Sequence, residues 1–298
     1  MTDRSPLPAP GSPSAREIRA VTAEGRTVAY AEYGDPDGVP VLFLHGTPGS
    51  RLLAGLYDEA ARARGVRLLA PDRPGYGRSV PWSGRTLSDT ASFTVPVLDD
   101  AGVDRVAVLG FSGGGAHALA LAATSGERVR TLDLVSSAVP PDCIENQPRT
   151  QRTLAWLAAR TPGLLGVLLR VQTWVARNGP ASVVLSQYTD QPDAVPDDVA
   201  ALVRRDFVEA LDRSRAGLVT ESRLIGRDWN VDPSAVDCPV RLWHGERDGN
   251  VPVTAARRLS MRLPDADLTV DESADHLGAL LHYRSTVLDA LATERNGE

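Results

Sequence analysis

Val106-Ala107-Val108-Leu109-Gly110-Phe111-Ser112-Gly113-Gly114-Gly115 decides how the rest of this chain is read. Its first four residues form a short apolar run with the length and content of a buried strand. Ala116-His117-Ala118-Leu119-Ala120-Leu121-Ala122-Ala123 follows, and alanine and leucine are strong helix formers. Ser112 is therefore predicted on a very tight strand-to-helix turn. Glycines on both sides let the backbone close without a Cβ clash. The turn lifts the serine oxygen clear of the sheet and sets the Gly113 N–H at a helix N-terminus, where developing negative charge is favoured.

Working outward, apolar runs alternate with helical segments. Strands are predicted over 17–21 and 26–33, joined by a Glu24-Gly25 turn, and over 41–44, 66–70, 106–109, 129–136, 240–243 and 267–270. Helices are predicted over 51–64, 87–100 with a kink at Pro96, 254–263 and 276–292. This alternation describes an α/β fold with a mostly parallel, doubly wound sheet. In such sheets ligands bind beyond the carboxyl ends of the strands. The unusual residues cluster at those ends: His45-Gly46, Asp72-Arg73, Ser112, the 244–248 turn and His276. Over 139–236 the alternation stops and proline-broken helical patterns take its place. The expected organisation is a core domain from 16–138 and 237–298, a helical lid from 139–236, and a disordered tail over 1–15.

The chain has 298 residues, 42% of them hydrophobic, and a formal charge of −6. That composition supports one large core and leaves no electrostatic footprint for nucleic acid or an anionic membrane. All basic residues are arginine, as a GC-rich coding sequence would give. Cys143 and Cys238 form neither a disulfide framework nor a metal cluster. No stretch reads as a signal peptide or a membrane span. A cytoplasmic monomer or homodimer acting on a small molecule, without cofactor or metal, is expected.

A serine hydroxyl needs a general base, and the base needs a group to orient it. Among five histidines, His276 stands in a loop soon after the last strand and can reach over the sheet edge. His117 and His282 lie inside helices and read as packing or surface residues, while His45 and His244 precede glycines and read as loop-shaping. For the carboxylate, Asp248 sits in the turn after the 240–243 strand. Glu246 is its rival, and Arg247 could pair with either. Asp271 and Asp275 are nearer His276 in sequence, but adjacent side chains point apart, which disfavours Asp275. An oxyanion needs two N–H donors. Gly113 offers one, and Thr47, in the loop after Leu44, offers the other.

These segments together resemble the α/β-hydrolase family with a helical lid. His45-Gly46-Thr47-Pro48-Gly49 is similar to its oxyanion loop. Asp72-Arg73-Pro74-Gly75-Tyr76-Gly77-Arg78-Ser79 is similar to its glycine-rich loop. Gly110 to Gly114 resembles its nucleophile elbow, and His244-Gly245-x-x-Asp248-x-x-Val251-Pro252 its acid loop. The resemblance implies a serine hydrolase with Ser112, Asp248 and His276 as triad and Thr47 and Gly113 as oxyanion donors. Serine at position 112 disfavours the dehalogenase and epoxide-hydrolase chemistries, which use aspartate there. Thr47 and Gly113 depart from the iminopeptidase-like pattern. The expected substrate is a small or medium, largely apolar carboxylic ester. Amide, peptide or C–C bond hydrolysis and acyl transfer use the same triad, and a non-catalytic ligand-binding homologue is the reading of another class. Phe111 and Trp174 are the candidate substrate contacts. Trp174 belongs to the apolar 163–175 run, which either lines an acyl pocket or packs on the core.

Overall fold

The computed structural model describes residues 18–145 and 149–293, so the tail expected over 1–15 lies outside the described residues. Two antiparallel strands open the chain, β1 (Ile18–Ala23) and β2 (Arg26–Gly34). Next come β3 (Val39–Leu44), a 3-10 turn (Arg51–Tyr57) running into α1 (Asp58–Ala63), and β4 (Val66–Pro71). Helix α2 (Thr90–Asp100), β5 (Val106–Phe111), α3 (Gly113–Thr124) and β6 (Val129–Val135) follow. Five helices are then inserted: α4 (Arg149–Arg160), α5 (Pro162–Asn178), α6 (Ser182–Leu185), α7 (Asp197–Asp212) and α8 (Ala216–Ile225). The sheet resumes with β7 (Val240–Gly245), α9 (Val253–Ser260) and β8 (Ala266–Asp271) and ends in α10 (His276–His282) and α11 (Arg284–Thr293).

The eight strands form one sheet in the order β1-β2-β4-β3-β5-β6-β7-β8, parallel from β4 to β8. Each predicted strand is present. Strand periodicity splits the core into two layers: Ala107, Leu109 and Phe111 of β5 face one, Val106 and Val108 the other. Both faces of β5 are buried, which explains its uninterrupted apolar run. Helix α3 is buried almost along its whole length, and Leu119 and Leu121 each contribute roughly 1.5–3 kcal/mol by burial.

Three helical expectations differ in detail. The first half of the 51–64 helix, Arg51–Tyr57, is 3-10, and other elements hold its start: Asp72 accepts from the Arg51 N–H at 2.7 Å and Asp206 from the Ser50 N–H at 2.8 Å. Pro96 lies inside α2 without ending it. The terminal helix breaks at Tyr283, whose ring packs on Trp243 while Arg284 donates to the Leu56 carbonyl. Among the described residues, no helix is long and apolar enough to cross a membrane.

Candidate active site

The turn between β5 and α3 places Ser112 at φ +50°, ψ −124°, a conformation non-glycine residues rarely adopt. The serine itself takes the left-handed position. The surrounding structure holds it there: its N–H donates to Val135 O (3.1 Å), and its carbonyl accepts from Gly115 and Ala138. The flanking glycines serve close approach. A Cβ on Gly114 would lie 2.0 Å from the Leu44 carbonyl oxygen, and one on Gly110 would lie 2.8 Å from the Gly115 Cα.

His276 begins α10, with Asp275 as its N-cap accepting from the Gly278 N–H. Its Nε2 stands 2.9 Å from Ser112 Oγ and its Nδ1 2.8 Å from Asp248 Oδ2. With Nδ1–H donating to Asp248 Oδ2, Nε2 is free to accept from the serine hydroxyl. Asp248 is 6% exposed, and its other oxygen accepts from the Asn250 and Val251 N–H groups. Burial pushes this carboxyl up. The His276 ring and the hydrogen bonds more than offset that and hold it below its ordinary value.

The rival groups are engaged elsewhere. Glu246 pairs with Arg257 on the surface, and Arg247 with Asp190 rather than with either acid. Asp275 accepts from Thr189, Asp190 and Gly278. His244 is the exception: its Nε2 lies 2.8 Å from the Val251 carbonyl oxygen and 3.5 Å from Asp248 Oδ2. His45 spans the Gly46 carbonyl and the Arg73 N–H, with its basicity well below the ordinary value because of burial and then Arg73. His282 meets Asp271 at the surface.

Ser112, Thr47 and Gly113 share a cavity of about 110 Å³ with Val139, Ile144, Leu154 and Ile225 on its walls. Among the described residues, the N–H groups of Thr47 and Gly113 have no protein acceptor. The cavity is apolar away from Ser112. Its Ser222 hydroxyl is occupied by Leu218 O, and its Asn250 amide donates to Gln187 O.

The structure does not bring the two substrate-contact candidates to this cavity. Phe111 is buried against the 45–49 loop, with Gly46 close to its ring and His276 at 5.0 Å between ring centroids. Its side chain points into the layer below because β5 alternates faces. Trp174 is 67% exposed on α5 and lies outside the cavity wall. Helix α5 buries Leu165, Leu169 and Thr173 and turns Leu164, Val167, Val171 and Trp174 outward, so most of that apolar run faces solvent.

Two residues of the inserted segment reach the site without a readable sequence signal. Tyr188 stacks on His276 (6.5 Å, 12°), and its carbonyl accepts from the Leu277 N–H. Glu221 on α8 is fully buried and accepts from Thr47 Oγ1 at 2.7 Å. His117 joins this second cluster at 3.1 Å from Glu221 and is pushed down to about 4, mainly by burial.

A family model described as alpha/beta hydrolase fold matches residues 39–283. The chain is 26% identical over 279 residues to the uncharacterized hydrolase YcgS of Bacillus subtilis (strain 168), covering 88% of this chain and 92% of that protein. Among solved structures, it is similar to the esterase RhEst1 from Rhodococcus sp. ECU1013 (TM-score 0.70, 21% identity, 94% of this chain and 98% of that one). It is also similar to the enol-lactonase from Burkholderia xenovorans LB400 (TM-score 0.70, 18% identity, 94% and 100%). At these identities the two structures share a fold with this chain.

Proposed function

This chain belongs to the α/β-hydrolase fold family, and from that premise we propose that it is a serine hydrolase cleaving a short-chain, largely apolar carboxylic ester through an acyl-enzyme intermediate. The observation that carries the proposal is the unbroken chain Asp248–His276–Ser112, at 2.8 Å and 2.9 Å, ending beside two N–H groups that have no acceptor among the described residues.

Ser112 Oγ attacks the ester carbonyl while its proton passes to His276 Nε2. Asp248 stabilises the imidazolium that forms and fixes the tautomer that precedes it. The carbonyl oxygen becomes an oxyanion, which the N–H groups of Thr47 and Gly113 receive; each such donor is worth on the order of 3 kcal/mol in the transition state. His276 returns the proton to the leaving alkoxide. Water, activated by the same imidazole, then releases the acid.

Pocket size supports a short acyl group. A dry apolar cavity of about 150 Å³ accepts benzene. At about 110 Å³ this one suits a chain of roughly four carbons. The absence of an unpaired charged side chain on its wall among the described residues favours an uncharged acyl group. The test is Ser112→Ala, which is expected to abolish both p-nitrophenyl butyrate turnover and fluorophosphonate labelling while leaving the fold intact. Unchanged turnover in that variant would sink the proposal. Lactones, amides and diketones assayed beside the esters assign the bond type.

A further inference from the structure

We infer that Glu221, carried by the inserted helix α8, is a positioning residue of the oxyanion hole: it fixes the Thr47 N–H through Arg73 and through the Thr47 hydroxyl. The inference rests on the serine-hydrolase reading above.

Glu221 has no exposed surface and receives donors from six directions. Arg73 holds it bidentately, Nε to Oε1 at 2.8 Å and Nη2 to Oε2 at 2.7 Å. Arg85 (2.8 Å) and His117 (3.1 Å) bind Oε1, while Thr47 Oγ1 (2.7 Å) and the Tyr76 hydroxyl (3.1 Å) bind Oε2. Burying such charges carries a heavy desolvation penalty, and aliphatic packing would fasten α8 to the core at least as well. What apolar contact cannot do is orient a peptide plane or a hydroxyl.

Both are oriented here. The Arg73 guanidinium, aligned by Glu221, donates to the His45 carbonyl and, at 3.1 Å, to the Gly46 carbonyl. In a trans peptide the C=O and the following N–H point in opposite directions. Anchoring the Gly46 oxygen on Arg73, with His45 Nδ1 at 2.8 Å on the same oxygen, therefore turns the Thr47 N–H away from Arg73, on the side of the Ser112 cavity. Thr47 Oγ1 accepts from Arg73 Nη2 at 2.9 Å and donates to Glu221, so both its proton and a lone pair are assigned. That hydroxyl also occupies the space over the second donor residue, since a Cβ on Gly113 would fall 2.1 Å from it. Two guanidinium groups, Arg73 and Arg85, face the single Glu221 carboxylate, so positive charge is in excess behind the loop, and burial pushes His117 toward its neutral form. That sign favours an oxyanion in front of it.

The test compares Glu221→Gln, Thr47→Val and Thr47→Ser with Glu209→Gln. Glu209 ties α7 to Arg51 without touching the oxyanion loop. Active sites are titrated with a fluorophosphonate, and kcat per titrated site and KM are measured on a short p-nitrophenyl ester. Glu221→Gln and Thr47→Val are expected to lower kcat about 10- to 100-fold with KM within about threefold, the pattern of a lost transition-state interaction. Thr47→Val keeps the N–H and removes only the hydroxyl, and Thr47→Ser should restore the rate. Glu209→Gln should lower the melting temperature alone. A kcat within about twofold of wild type for both Glu221→Gln and Thr47→Val overturns the inference. If Glu221→Gln does not fold, the valine and serine variants decide it. A wild-type chain inert to fluorophosphonate and to every ester instead defeats the hydrolase reading itself.

Discussion

Asp206 gives the molecule a pH-dependent weakness that Asp206→Asn should remove. This α7 residue is 3% exposed, and its Oδ1 accepts from the Ser50 N–H at 2.8 Å and the Ser50 hydroxyl at 2.6 Å. Burial pushes its carboxyl up to about 7; the hydrogen bonds from Ser50 pull the other way, and the negative charge of Asp72 adds to the rise. Asp72 is itself held by Arg51 at 2.7 Å. In the unfolded chain Asp206 titrates near 3.8. Between about pH 4 and about pH 7 the native state therefore binds more protons than the unfolded state, so stability falls as pH rises. Three units at 1.36 kcal/mol each set the full effect at about 4 kcal/mol, of which about 2.5 kcal/mol falls between pH 5 and pH 8. Asparagine cannot titrate, yet its carbonyl oxygen can accept both Ser50 hydrogen bonds. Urea unfolding of both proteins across that range should show the variant gaining on wild type as pH rises, by about 2.5 kcal/mol at the upper end. A stability difference that stays flat with pH would refute the reasoning, because it would mean that Asp206 ionises in the fold as it does in the open chain.

Three further outcomes follow from the same geometry. Asp248→Asn should lower kcat by roughly 10³- to 10⁴-fold with little change in KM, since the amide no longer fixes the His276 tautomer. Because the Asp248 carboxyl is held below its ordinary value, its stabilisation is present above the unfolded value and lost as pH falls through the folded one, so acid titration of the asparagine variant should show a shallower loss. Gly113→Ala should cost about 1–3 kcal/mol and most of the activity, because its Cβ would meet Thr47 Oγ1 at 2.1 Å and Thr47 Cβ at 2.7 Å; chemical unfolding and active-site titration read the two effects. Across p-nitrophenyl esters, kcat/KM should peak near four carbons, and Leu154→Ala should move that peak toward longer chains by opening the cavity wall.

The sheet was legible because buried strands write themselves as short apolar runs, and because punctuation at their ends, such as Pro71 before Asp72 or Gly110 before Ser112, marks where each stops. Ser112, Asp248 and His276 were legible as candidates for the same reason: each sits just past a strand, where a doubly wound sheet gathers its loops. The choice between Asp248 and Glu246 was not settled by local pattern alone. It depends on which carboxyl the loop turns inward, and Arg257, eleven residues on, is what holds Glu246 at the surface. Trp174 misled because an apolar helical stripe looks the same whether it faces a pocket or solvent, and Leu165 and Leu169 satisfy the core from the other side of α5.

The inserted helices were the least legible part, and the reason is physical. Their contributions to the site are single side chains acting across long sequence separations: Glu221 on Thr47, Asp206 on Ser50, the Tyr188 ring on His276. A lone acid on an amphipathic helix carries no sign of whether it meets water or a buried guanidinium. The pattern of these contacts nonetheless has a logic. All three fall on parts whose orientation the proposed serine hydrolysis depends on, namely the loop proposed to hold the oxyanion and the histidine proposed as general base. The sheet by itself delivers Ser112 and Asp248 rigidly, since one stands on a strained turn between β5 and α3 and the other is bound by two backbone N–H groups. The 45–50 loop is held from the sheet side by Arg73 and His45 and the start of α10 by the Asp275 cap, and each takes the rest of its support from the inserted helices. Stacking, a buried carboxylate and an Asp–Ser pair supply it from outside, so displacing the inserted helices would disturb the alignment of the site as well as the wall of its cavity.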